Sequence, residues 1–180
     1  FMNEGGAEEL TKAVQNGLQE LIEKASKQEG LNVQDIFEIV LVGNPVMHHL
    51  VLGIDPVELG GAPFALTLDT AVNCLAQEVG LRFNAATRVY LLPCIAGHVG
   101  ADAAGAVLAE APQDSEEITL LIDIGTNAEI ILGNCHHLMA ASSPTGPAFE
   151  GAQISSGQRA AVGAIAVSYT HLTLPTIVSV

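Results

Sequence analysis

The stretch ITLLIDIGTNAEIILG, residues Ile118–Gly133, decides how this chain is read. An apolar run ends on Asp123, passes through Gly125, Thr126 and Asn127, and re-enters a second apolar run. Two such runs around a glycine-containing turn predict a β-hairpin, with a carboxylate where the first strand meets the turn. A buried strand would deliver Asp123 at a fixed position, and Gly125 would let the backbone come close to a ligand. Thr126 and Asn127 add a hydroxyl, an amide and main-chain N–H groups. This set suits a magnesium-bound phosphate, because magnesium takes hard oxygen ligands and leans on substrate phosphates. Asp123, Gly125, Thr126 and Asn127 are thus candidate phosphate-binding residues, and Asp123 is the candidate metal ligand. The same residues also fit an ordinary hairpin in which Gly-Thr-Asn serves turn conformation alone.

Upstream of the hairpin, the acidic stretch Pro112–Glu117 (PQDSEE) reads as a connector and the best candidate for a lobe boundary. Before it, a helix is expected over Ala101–Ala111, opened by the glycines of Cys94–Gly100 (CIAGHVG). These follow a strand at Arg88–Leu92, and α/β proteins bind ligands at the carboxyl ends of strands. Asp102 falls in the helix's first turn. There it complements the helix dipole, as it would in any protein, or it points at magnesium or an attacking water as a catalytic group. A second corner of this kind is Gly43-Asn44-Pro45, between a strand at Ile36–Val42 and a short helix at Val46–Leu52. Gly43 and Asn44 either face a ligand or form a plain βα turn. His48 and His49 are adjacent on that helix and point about 100° apart, so they are read as partly buried helix residues rather than metal ligands.

The remaining elements follow from periodicity. Leu10, Val14, Leu18, Leu21, Ile22 and Ala25 form the apolar face of a helix over Glu8–Gln28 that Gly30 ends. Asp55–Leu68 reads as a loop, and Thr70–Val79 as a helix carrying Cys74 toward the core. Downstream of the hairpin, Cys135-His136-His137 could form a soft-metal cluster, but three consecutive turn residues do not easily face one ion. Leu138–Ser143 is expected as a third strand. A glycine- and proline-punctuated segment follows, with Glu150 and Arg159. That arginine would bridge Asp123 or Glu150, or touch an anionic ligand.

Six Lys plus Arg against 20 Asp plus Glu give a formal charge of −14. This excludes the basic face that nucleic-acid binding needs and disfavours anionic membrane surfaces. Three cysteines without CxxC spacing argue for reduced thiols and a cytoplasmic location. No run is long enough for a membrane span. The chain reads as a piece of a longer protein, and SYTHLTLPT (Ser168–Thr176) as a translated sequencing adapter, so 168–180 is expected to be a non-native tail.

Four segments, VGNPVMHHLVLGIDP (Val42–Pro56), YLLPCIAGHVGADAAGAVLA (Tyr90–Ala109), LLIDIGTNAEIILGN (Leu120–Asn134) and SPTGPAFEGAQISSGQRAAVGAI (Ser143–Ile165), together resemble the reductive activators of corrinoid proteins. In that family a two-iron two-sulfur ferredoxin domain precedes a linker, a middle domain and an ATPase domain. The ATPase domain belongs to the superfamily of acetate and sugar kinases, large heat-shock chaperones and actins. The resemblance implies an α/β, ribonuclease-H-like fold, here incomplete. The later part of lobe one would occupy 1–112, and the start of lobe two 113–167.

It also implies a cytoplasmic, ATP- and magnesium-dependent activator in an anaerobic microbe. That activator returns a corrinoid from Co(II) to Co(I), with a corrinoid iron–sulfur protein as partner and a homodimer as an open reading. Asp123, Gly125, Thr126 and Asn127 match the superfamily's second phosphate hairpin. The first such hairpin, the adenosine motif and the ferredoxin cysteines have no counterpart here, so the iron–sulfur cluster would belong to a domain absent from this chain. The fragment alone is expected to hydrolyse ATP slowly or not at all. Two other readings remain: a sugar- or acyl-kinase-like phosphotransferase using Asp102 as base, and a non-enzymatic lobe that docks a corrinoid protein.

Overall fold

The structure, a computed structural model, describes residues 5–125 and 127–144. Helix α1 (Gly6–Gln28) leads into strand β1 (Glu38–Leu41) and the short helix α2 (Pro45–Val51). Strands β2 (Val72–Leu75) and β3 (Arg88–Leu91) complete a first sheet of order β1-β3-β2. In it β1 runs parallel to β3, and β2 antiparallel. Alternation puts Ile39, Val89 and Leu91 on one face, where they meet Val51, Ala76, Val79 and Leu81 in the main core. Leu81 and Leu91 are each only 1% exposed, a burial that contributes about 1.5–3 kcal/mol per side chain.

Helix α1 lies over this core with only part of the face that its apolar spacing predicts. Val14, Leu18 and Ile22 pack inward as expected, whereas Leu21 is 65% exposed and Ala25 is also exposed. Gln15, Gln19 and Ser26 take the docked positions instead. Gln19 donates to the Arg82 carbonyl and accepts from the Arg82 N–H, and Gln15 donates to the Val51 carbonyl. The partners beneath these positions are main-chain groups, Val51 at the end of α2 and Arg82 in the loop before β3, so amide side chains fit where leucine would strand polar groups.

The helix expected over Thr70–Val79 is overturned. Val72–Leu75 is strand β2, registered so that Cys74 faces Val89, and only Ala76–Val79 turns, as a single 3-10 turn. A non-local partner decides this: the open edge of β3 accepts a strand rich in residues that pack well on a pleated surface. The Glu78 carboxylate accepts from the Leu75 N–H at 2.6 Å and closes the strand's end. Cys74 still packs against the core, half-buried.

Helix α3 (Ala101–Glu110) leads through a 3-10 turn at Pro112–Asp114 into a second, antiparallel sheet. Its strands β4 (Thr119–Ile124), β5 (Asn127–Gly133) and β6 (Leu138–Pro144) pair in order. Ile131 on β5 is buried against Val99 and Ala103, with Val107, Leu121 and Leu138 around it, so α3 covers one face of the sheet. The opposite face carries Leu120, Ile122, Ile124 and Met139, all exposed among the described residues. The expectation that a buried strand delivers Asp123 therefore fails. Among the described residues β4 is the outer strand of its sheet, and Asp123 is exposed.

Candidate functional site

The Gly43-Asn44 corner is fixed by its own backbone chemistry. Asn44 caps α2: its side-chain oxygen accepts from the Met47 N–H at 2.9 Å, and Pro45 follows at the first helical position. That leaves the side-chain NH₂ as the group Asn44 can offer a ligand. The Gly43 carbonyl accepts from the Ala101 N–H at 3.0 Å and the Asp102 N–H at 3.2 Å, so the end of β1 caps the start of α3. Gly100 makes the approach feasible, since a Cβ there would lie 2.8 Å from both Asn44 Cα and the Gly43 oxygen. Asp102, half-buried, accepts the Ala103 N–H on its Oδ1 at 2.9 Å. One oxygen is thus engaged in its own helix's first turn.

A cleft of about 210 Å³ opens beside this corner, lined by Asn44, Met47, Gly97, His98, Asn127 and Glu129. Asn44 from the first sheet's corner and Asn127 from the hairpin thus meet at one place. Gly97 and His98 form the tip of a tight turn closed by paired Ala96–Val99 hydrogen bonds, and the His98 ring stacks obliquely on Phe64 at 4.3 Å. Asp123 does not line the cleft. It stands opposite Glu129 in the β4–β5 register, on the same face as Asn127. At the turn, Gly125 donates its N–H to the Asn127 carbonyl at 2.8 Å. Thr126, Glu150 and Arg159 lie outside the described residues, as does the 168–180 tail.

His98 and Glu129 escaped the reading of the sequence. Glu129 could have been found, because it lies two residues beyond Asn127 on a strand and so shares its face. His98 carries no comparable signal. Its place follows from the turn's contact with Phe64, which is 34 residues away in sequence.

His48 and His49 are more deeply buried than expected, at 3% and 0% exposed. His49 Nε2 accepts from the Thr67 N–H at 3.2 Å, which leaves Nδ1 as the donor to the Pro45 carbonyl at 2.8 Å. Both nitrogens are therefore used. His48 lines a separate apolar cavity of about 180 Å³ with Val14, Leu18, Leu41, Met47 and Leu91, and neither ring nitrogen makes a hydrogen bond. Burial pushes its pKa down and His49 adds to this, while the nearby Leu92 carbonyl opposes it less strongly.

Among the described residues, no helix is long and apolar enough to cross a membrane. Residues 1–114 match the family model described as the RACo middle region, and 117–176 match the C-terminal ASKHA domain of RACo. The boundary falls within the acidic connector. The chain is 39% identical over 163 residues to the corrinoid activation enzyme RamQ of Eubacterium limosum, covering 89% of this chain and 27% of that protein. It is 35% identical over 97 residues to the [Co(II) methylated amine-specific corrinoid protein] reductase of Methanosarcina barkeri, covering 54% and 18% of the two chains. The solved structure of a reductive activator for corrinoid, iron-sulfur protein superposes with a TM-score of 0.79 at 39% identity, over 89% of this chain and 26% of that one. The chain thus spans about a quarter or less of the length of these relatives. With one family model matching more than half its length, the chain belongs to the RACo family, in which it carries the middle region followed by ASKHA-domain sequence.

Proposed function

We propose that this chain is part of an ATP-dependent reductive activator that returns a corrinoid protein's cobalt from Co(II) to Co(I), and that it supplies one wall of the nucleotide site. The observation that carries this reading is the meeting of Asn44, Asn127 and Glu129 in one cleft, with Asp123 opposite Glu129 on the same sheet face. Two facing carboxylates fit a hard divalent cation, and among the described residues neither has a cationic partner. Asp123 and Glu129 would hold magnesium. The Asn127 and Asn44 amides would meet phosphate oxygens. Asp102, one oxygen already engaged, would use the other to orient water. Gly43 serves the site by joining β1 to α3. Bound ATP supplies the driving force for an uphill electron transfer whose electrons come from an iron–sulfur cluster held elsewhere. The partner is a corrinoid protein, in keeping with what the relatives' names say they act on.

The test is calorimetric titration of magnesium-ATP into the full-length protein, paired with the ATP-dependent change in a corrinoid protein's visible spectrum. Loss of both in Asp123→Asn supports the reading. Full activation by that variant sinks it, and phosphoryl transfer to a small acceptor instead would point to a kinase.

A further inference from the structure

At the end of the hairpin remote from Asp123, Glu116, Cys135 and His136 converge. One ligand atom from each lies within 4.8 Å of the other two, and His136 Nε2 is 2.9 Å from Glu116 Oε2. The sequence places Cys135 and His136 side by side but puts Glu116 on the connector before β4. The sheet brings them together. Further hydrogen bonds hold the two segments in place: the Cys135 N–H donates to the Ser115 carbonyl at 2.8 Å, and Asn134 Nδ2 donates to the Glu116 carbonyl at 2.9 Å. Asn134 Oδ1 in turn accepts the His136 N–H at 3.1 Å. Gly133 allows the tight turn: its φ is +149°, and the His137 carbonyl occupies the space a Cβ would need. Every ligand-bearing segment is thereby tied to another.

We propose that Glu116, Cys135 and His136 form a binding site for a borderline transition-metal ion of the zinc class, with a fourth position open to water or an outside ligand. Thiolate, imidazole and carboxylate are the three protein ligand types of zinc. A sulfur ligand disfavours magnesium and calcium, so the site is chemically distinct from the Asp123 face. It also lies a strand's length away, on the order of 20 Å. On binding, the Cys135 thiol proton is released to solvent, and the ion displaces the His136–Glu116 hydrogen bond, with the imidazole N–H on the ring nitrogen that does not ligate. Asn134 is a positioning residue: it touches both ligand-bearing segments without reaching the ion. The other cysteines do not compete, since Cys94 is buried and Cys74 lies in the first sheet.

Cobalt(II) titrated into the full chain is the direct probe, because a bound thiolate gives a sulfur-to-cobalt charge-transfer band in the near ultraviolet. The expected result is one equivalent of cobalt with that band, displaced by one equivalent of zinc. Cys135→Ser removes the band, whereas Cys74→Ser keeps it. His136→Ala and Glu116→Gln leave the chain folded and weaken binding by more than about tenfold, and Asn134→Ala by roughly tenfold with the band retained. Glu116, Cys135 and His136 are exposed, so misfolding does not obscure the outcome at the ligand positions. A band absent from the wild type, a band surviving Cys135→Ser, or a loss on His137→Ala in place of His136→Ala overturns the assignment.

Discussion

Asp123 and Glu129 face each other across the β4–β5 ladder, two carboxylates in direct register on one side of the sheet. Like charges so placed destabilise a strand pair by roughly 0.2–1 kcal/mol. The sheet keeps this arrangement although a neutral residue at either position would relieve it. Asp123→Asn is therefore expected to leave thermal stability equal or slightly raised while magnesium-dependent nucleotide affinity falls by more than about tenfold, or 1.4 kcal/mol. Thermal melts and calorimetry on the same preparation check both signs. A variant that loses stability and affinity together would mean that Asp123 is scaffold.

Gly100 makes a sharper structural prediction. Its missing side chain admits the Gly43-Asn44 backbone, which cannot swing aside as a flexible side chain would. Gly100→Ala should cost about 1–3 kcal/mol through forced separation of α3 from β1. Gly105 is the control on the same helix: a Cβ there meets only the Val42 side chain, its Cγ1 at 3.2 Å and its Cβ at 3.8 Å. Alanine's helix propensity gain of about 1 kcal/mol offsets that contact, so Gly105→Ala should be near neutral. Urea denaturation of the two variants separates the cases.

The hairpin, α1, α2 and α3 were legible because local periodicity and turn chemistry agree with the tertiary result. β2 was not, because its conformation is set by pairing with β3 rather than by its own pattern. The docked face of α1 was misread only in part, for a related reason. Apolar spacing assumes an apolar surface opposite, and Gln15 and Gln19 meet main-chain groups of Val51 and Arg82 there. At the candidate site, Asn44 and Asn127 were legible as residues, but their common cleft needed the packing of α3 between the sheets. The Glu116 contact with His136 is likewise a product of the sheet, which closes 20 residues of separation.

His48 sets a pH dependence. Its folded pKa lies below the ordinary 6.5, mainly through burial, so the unfolded chain binds the proton more readily than the folded one. The stability difference is intact above pH 6.5 and is lost progressively as pH falls below that value toward the depressed folded pKa. His48→Leu removes both unpaired nitrogens from an apolar wall and should flatten this acid slope. At neutral pH it should be neutral or stabilising by about 1–3 kcal/mol. Melting temperatures between pH 5 and 8 test it, and an unchanged slope would assign the titration to another group.

Ile131 couples the second sheet to α3. It is 2% exposed, and it packs on Val99 and Ala103, which belong to the turn and helix adjoining the Gly43-Asn44 corner. Truncation to alanine should cost about 2–5 kcal/mol, because Ala103 opposite is too small to move into the space. The loss should also be local. β4–β6 would lose hydrogen-exchange protection before the β1-β3-β2 sheet, whose core shares no residue with the Ile131 cluster. Since Asn127 and Glu129 ride on the same strand as Ile131, nucleotide affinity should fall with that protection. Equal loss of protection in both sheets would show instead that they unfold as one cooperative unit, with Ile131 a core residue like any other.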